Sequence, residues 1–298
     1  MRLSASAEPA RPQISIGVPV YNGGPQIARA LDALLEQDFA DFEIVISDNA
    51  STDETESVAR RYAAADKRIR YYRQPTNIGA LRNFAFVLEM AAGDYFMWAA
   101  ADDLRSKNFL RVNYNFLVVN PKYSASISKT SFEGGSGFPD EVGDNLLDDV
   151  SLDRRIIRFL SAPHANSGFY SLFRRAPLIA AMNPIEWYFG FDWTIMMRVA
   201  TTGPMARLEQ GWFARGGRGM STDHDYLIRS TRIRRINWIL PFYDFSLVVL
   251  RCARKTSWRS QLTIARLLLR LNHTAFRAQL SHTLKAMLSR RPINRIPA

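Results

Sequence analysis

Cysteine is nearly absent from this sequence. Cys252 is the only one, which excludes an internal disulfide and a four-thiolate zinc site and suits a reducing compartment. Long apolar runs are missing as well. The most apolar stretch of the C-terminal part, Ile236 to Leu250, has 15 residues and contains Pro241 and Asp244. It falls short of the roughly 20 residues a membrane-spanning helix needs. Met1 to Pro12 lacks the apolar core of a secretory signal peptide, so a cytoplasmic protein is expected, free or attached to the membrane from that side. No internal repeat and no low-complexity segment is present. Acidic residues are scarce in one region only. Residues 226–298 carry 15 Lys and Arg against the single acid Asp244, whereas residues 1–225 carry 24 basic against 27 acidic residues. The formal charge of +11 therefore belongs to the last quarter, and a nucleic-acid reading of the whole chain loses its footing.

With 47% hydrophobic and 22% charged residues, the 298-residue chain has an ordinary globular composition, which excludes a disordered or collagen-like protein. The N-terminal part alternates short β-rich runs with amphipathic ones. Ile14 to Val20 reads as a strand stopped by Tyr21-Asn22-Gly23-Gly24, followed by a helix to about Gln37 on Ile27, Ala30, Leu31 and Leu34. Phe42 to Ser47, Ile69 to Arg73 and Tyr95 to Trp98 are further strands. The helix between the first two opens at Ser51-Thr52-Asp53-Glu54, and the next spans Gly79 to Ala92. Four such alternations predict an α/β fold with a mainly parallel sheet and helices on both faces. Beyond Ser106 the pattern predicts a helix to about Val119, strands at Tyr123–Ser128, Phe169–Phe173 and Arg207–Ala214, a helix over Trp193–Ala200, and a loop from Glu133 to Asp149.

Ligands of parallel α/β sheets sit beyond the carboxyl ends of the strands. Four polar clusters fall there: Val18-Pro19-Val20-Tyr21-Asn22, Ser47-Asp48-Asn49-Ala50-Ser51-Thr52-Asp53, Asn77-Ile78-Gly79 with Arg82 and Asn83, and Asp102-Asp103. In this order the clusters, over about Ile14 to Ser221, resemble the family 2 glycosyltransferases. That resemblance implies the GT-A fold (a Rossmann-like sheet), a nucleotide-sugar donor and an inverting transfer. It assigns Pro19, Tyr21, Asn22, Asp48, Asn49, Ser51, Asn77, Gly79, Arg82 and Asp102 to the donor, with Asp48 on the base or ribose. Asp102 and Asp103 resemble the end of the family's metal-binding acidic motif and imply a divalent cation, Mg2+ or Mn2+. Phe191-Asp192-Trp193 resembles the later motif whose acid is the catalytic base. Asp192 precedes an apolar helix, where burial raises a carboxyl pKa, although an acid at that place also suits helix capping. Two departures stand out. Ala100 replaces the acid expected two positions before Asp102, and the segment Phe213 to Ser221 carries Arg215 and Arg218 where the family often has a histidine. The arginines are expected on phosphate, and His224 beside the metal. His164 is a lesser candidate for the acceptor site.

Two regions follow: residues 1–225 as the catalytic domain and 226–298 as a basic, helical extension. In the latter Leu262, Ala265, Leu269, Phe276, Leu280, Leu284 and Met287 share one helical face, edged by Arg259, Arg266, Arg270 and Arg277. Such a face suits an anionic membrane surface, and equally a dock on the protein's own domain. The expected reaction moves a sugar from a UDP-sugar to a hydroxyl of a glycan or lipid-linked glycan, in polysaccharide or glycoconjugate biosynthesis, with no nucleic-acid partner. A sugar-phosphate nucleotidyltransferase is the enzymatic alternative, but no basic residue follows the first strand before Arg29. A non-catalytic membrane- or nucleic-acid-binding protein is the other.

Overall fold

The computed structural model describes residues 11–132, 147–161, 166–184, 188, 190–216 and 234–288. The first half follows the alternation read from the sequence. β1 (Ile14–Val20), α1 (Gln26–Leu35), β2 (Phe42–Asp48), α2 (Thr55–Ala65), β3 (Ile69–Arg73), α3 (Ala80–Glu89) and β4 (Tyr95–Trp98) succeed one another with short connections. Then come β5 (Leu104–Arg105), α4 (Phe109–Val119), β6 (Ala125–Phe132), α5 (Leu152–Ser161), β7 (Leu172–Arg174), α6 (Arg175–Met182), α7 (Phe191–Ala200) and β8 (Met205–Arg215). The C-terminal region forms α8 (Tyr243–Ala253) and the 31-residue α9 (Trp258–Leu288).

The eight strands make one sheet in the order β3-β2-β1-β4-β7-β6-β8-β5. β3, β2, β1 and β4 run parallel, as crossover helices require. β7 runs antiparallel to both β4 and β6, so the sheet becomes mixed beyond its parallel half. Both faces are buried, and the strand period of two divides side chains between them. Ile14, Ile16 and Val18 of β1, with Ile44 and Ile46 of β2, meet Ile27, Leu31 and Leu34 of α1 and Phe109, Leu110 and Leu117 of α4. Val45, Phe96 and Trp98 point the other way, into a core with α3, α5, α6 and α7. Trp98 lies stacked on Phe169, centroids 4.5 Å apart and planes at 3°, and donates its indole N–H to Phe84 O at 3.0 Å. Complete burial of rings this size contributes about 1.5–3 kcal/mol each, which pins the sheet beneath the site.

The segment Phe169–Phe173 is not one strand. Ser167–Tyr170 is a 3-10 turn, and only Leu172–Arg174 joins the sheet. Packing of Phe169 on Trp98 overrides the β pattern of the sequence there. α8 and α9 share the core of the catalytic part: Phe245, Val249, Ile264 and Leu268 belong to the same buried cluster as Trp98 and Phe159. Trp193 of α7 stacks on Phe242 at 5.4 Å. The loop expected over Glu133–Asp149 lies outside the described residues except for its end from Leu147.

Candidate active site

The site is built from turns at the carboxyl edge of the parallel strands. After β1 the chain reverses at Asn22, whose φ of 51° is unusual for a non-glycine residue. Asn22 donates its N–H to Ser51 Oγ at 2.9 Å and accepts the Thr52 N–H on Oδ1 at 2.9 Å. Gly23 N–H reaches Thr55 Oγ1 at 2.8 Å. The turn after β2 contains a second such residue, Ala50 at φ 61°. Asn49 then ties this turn to the next: its Nδ2 donates to Asn77 Oδ1 at 2.8 Å, and its Oδ1 accepts the Ile78 N–H at 2.8 Å. Gly79, at φ 83°, opens α3 without a side-chain cap. The first N–H groups of that helix therefore stay available to an anion. Left-handed conformations gathered in adjoining turns cost energy that the interlocking side chains offset, a pattern typical of binding sites.

These turns wall a cleft of about 940 Å³. Pro19, Tyr21, Asn22, Asn49, Asn77, Gly79 and Arg82 line one side, and Ala100, Asp102, Asp103, Tyr170, Arg215 and Gly216 the other. The size suits a ligand larger than a bare monosaccharide. Tyr21 presents a half-exposed ring at the rim, and Arg82 is exposed at the first turn of α3.

Asp48 and Ser51 do not face this cleft. Asp48 is 0% exposed: Oδ1 accepts the Ser51 N–H at 2.8 Å, and Oδ2 accepts Tyr71 Oη at 2.9 Å and Arg73 Nη1 at 2.6 Å. Burial, with the Asp48 charge beside it, pushes the Tyr71 hydroxyl up to about 12, so it stays a donor. Here Asp48 braces the turn from behind, and Ser51 spends its hydroxyl on Asn22. Asp103, which does line the cleft, is already engaged by the protein. It is buried, accepts N–H groups from Gly216 at 3.2 Å and Ala100 at 3.3 Å, and lies 3.6 Å from the buried guanidinium of Arg105. Burial lifts Asp103 to about 6 against the pull of Arg105. Its carboxyl is thus committed to holding the β4–β5 turn.

Asp102 is the other carboxylate that lines the cleft. Gly216 crosses so close to it that a Cβ there would stand 2.2 Å from Asp102 Cγ, so only glycine fits. Among the described residues no three His, Cys, Asp or Glu side chains gather into a metal site. A hard carboxylate in a cleft of this size suits a cation that takes its remaining ligands from the substrate. Arg218, His224 and His164 lie outside the described residues.

Asp192 sits in the first turn of α7, with Gly190 rather than itself at the cap position. Its carboxylate nevertheless accepts first-turn N–H groups, including that of Trp193, and so also serves the start of the helix. Its Oδ2 accepts Asn166 Nδ2 at 2.9 Å, and Asn166 is itself left-handed, at φ 53°. Burial raises the Asp192 pKa; the Asn166 bond, the Trp193 N–H and the charge of Arg215 oppose the rise. Tyr170 links the two ends of the site. Its hydroxyl is pushed well above the usual range, by burial first and then by Asp103, Asp102 and Asp192, while the Arg215 guanidinium lies 5.8 Å over its ring. Sequence reasoning missed Asn166, Tyr170 and Arg105. None belongs to a recognisable spacing, and only the fold brings them to the cluster.

An open α/β sheet with polar turns and a large cleft at the carboxyl edge of its parallel strands is the architecture of the GT-A type. Residues 15–180, more than half the chain, match the sequence model of glycosyl transferase family 2, and the chain belongs to that family. Relatives include an uncharacterized glycosyltransferase of Rickettsia typhi, 33% identical over 106 residues, which are 36% of this chain and 32% of the relative. The glycosyltransferase GlyG of Streptococcus pneumoniae is 28% identical over 101 residues, 34% of each chain. The chain thus spans about a third of the length of these two relatives. Among solved structures, S. aureus TarS 1-349 superposes with a TM-score of 0.61 at 17% identity, over 95% of this chain and 93% of that one. TarS 1-349 has also been solved in complex with UDP-GlcNAc (TM-score 0.58, 19% identity, 86% and 79% covered). The mannosyltransferase PcManGT of Pyrobaculum calidifontis, in complex with GDP-Man and Mn2+, gives 0.55 at 18% identity, over 94% and 88%. These likenesses establish the fold. No described helix is long and apolar enough to cross a membrane.

Proposed function

We propose that this transferase moves a sugar from a UDP-sugar to a hydroxyl of a glycan or lipid-linked glycan, with inversion, in polysaccharide or glycoconjugate biosynthesis. The observation that carries the reading is the single cleft into which Tyr21, the uncapped start of α3, Arg82, Asp102 and Arg215 converge. In this reading Pro19, Tyr21, Asn22, Asn49 and Asn77 hold the nucleoside, with Asp48 and Ser51 shaping their turns. Gly79 lets the first N–H groups of α3 approach the diphosphate, and Arg82, Arg215 and Arg218 add charge-assisted hydrogen bonds. Asp102 would hold a divalent cation, Mg2+ or Mn2+, and His224 is a second candidate ligand. The cation supplies charge neutralisation for the departing diphosphate. Asp192 takes the proton of the acceptor hydroxyl as that oxygen bonds to the anomeric carbon. The carbon–oxygen bond to the diphosphate breaks, and its electron pair leaves with UDP.

The UDP assignment draws support from the TarS complexes solved with UDP and UDP-GlcNAc, and the cation from the mannosyltransferase solved with Mn2+. Thermal-shift titration with UDP and GDP, each with and without Mn2+, tests both. UDP with Mn2+ is expected to raise the melting temperature most. A larger response to GDP would move the donor class, and no response to either nucleotide would sink the reading.

A further inference from the structure

α9 has two apolar stripes, and among the described residues only one is packed against the rest of the protein. Ile264 and Leu268 are buried in the core shared with α5 and α8. Polar anchors fix the rotation of the helix: Asn272 Oδ1 accepts the Phe242 N–H at 2.9 Å, and Ser260 Oγ donates to Asp153 Oδ2 at 2.7 Å. The face singled out in the sequence is a different one. Trp258, Leu262, Leu269, Leu280 and Leu284 point outward, from 49% exposed at Leu280 to 67% at Leu269. At 100° per residue they occupy roughly 80° of arc, and exposed Arg259, Arg266, Arg270 and Arg277 continue it along one side. The dock on the protein's own domain is therefore already made, by other residues.

We propose that this outward face is a docking surface for an anionic lipid bilayer. Large aliphatic side chains kept in water along one line of a rigid helix mark an interaction surface. Its shape is a narrow row about 39 Å long, from Trp258 to Leu284, rather than a compact patch. Its charge selects the occupant. α9 carries four arginines and Lys285 with no acid, and the whole region 226–298 has Asp244 alone against 15 basic residues. An apolar row beside a cationic row matches acyl chains beside phosphate headgroups when a helix lies in the membrane interface. The proposal stands apart from the assignment of the donor.

Co-sedimentation of the full chain with phosphatidylcholine vesicles, with and without phosphatidylglycerol, tests it. Binding to the phosphatidylglycerol vesicles alone, weakened by salt, is expected. Each basic residue near such a surface contributes roughly a fivefold factor, so R259Q/R266Q/R270Q/R277Q is expected to bind at least about tenfold more weakly. L262S/L269S/L280S is expected to lose binding as well. Urea-unfolding midpoints recorded beside the sedimentation check that each variant is folded; little change is expected, because these positions lie on the surface. The proposal is overturned if the wild type ignores phosphatidylglycerol vesicles or if both variants sediment like it. It is also overturned if the wild type dimerises in vesicle-free solution and the leucine variant abolishes that dimer.

Discussion

In the proposed reaction the chemistry turns on Asp192 and the Asn166 amide that donates to it. A base buried at the start of α7 has its pKa raised, so activity should climb with pH along an acidic limb above the ordinary carboxylate range. Asn166 donates to the charged form and pulls that pKa down. Removing it destabilises the carboxylate, so Asn166→Ala should move the limb of kcat/KM to higher pH; Arg215 and Tyr170, the other polar groups beside the carboxylate, are left in place. An Asn166 that only supported the fold would lower the plateau without moving the limb. Asp192→Asn should cut kcat by about 10²–10⁴-fold while UDP affinity, measured by calorimetry, stays within about twofold. Full activity in that variant would remove Asp192 from the reaction.

At the scale of elements, the end of β8 lies against the turn between β4 and β5. Gly216 donates its N–H to Asp103 and leaves no room beside Asp102. Gly216→Ala should therefore displace the Asp102 carboxylate and lower kcat/KM by up to about 100-fold, the cost of an ångström-scale misplacement. The midpoint of urea unfolding should stay near that of the wild type, because the clash falls on a side chain of the cleft rather than on the core. An unchanged kcat/KM would show that Asp102 does not hold the donor. The parallel half of the sheet was legible because each of its strands is a β-rich run followed by turn residues. The 3-10 turn at Ser167–Tyr170 was not, since Phe169 and Tyr170 are good strand formers that the stacking on Trp98 and the contact with Arg215 draw into a turn.

For the molecule as a whole, the basic region is continuous with the catalytic core rather than appended to it. Leu268 is 3% exposed in that core, while its neighbour Leu269 faces water. Leu268→Ala should cost about 2–5 kcal/mol in urea unfolding, and Leu269→Ala no more than about 0.5 kcal/mol. Equal effects would mean that α9 does not pack by the stripe described. The boundary expected near residue 225 marks a change of charge, because Phe242, Phe245, Ile264 and Leu268 are buried with residues of α5 and α7.

By itself the sequence determined the α/β class, the parallel run of the first strands, and the cluster of turns that lines the cleft. Those follow from local periodicity and from turn residues at strand ends. It also placed the charge in the last quarter and excluded disulfide chemistry through the scarcity of cysteine. Tertiary structure alone decided what each acid does. Asp48 is sealed behind the cleft by Tyr71 and Arg73, while Asp102 and Asp103 both line it and Asp103 lies beside Arg105. It also chose which stripe of α9 is buried. Burial and partners set the role of a carboxylate or a leucine, and both are supplied by residues distant in the chain.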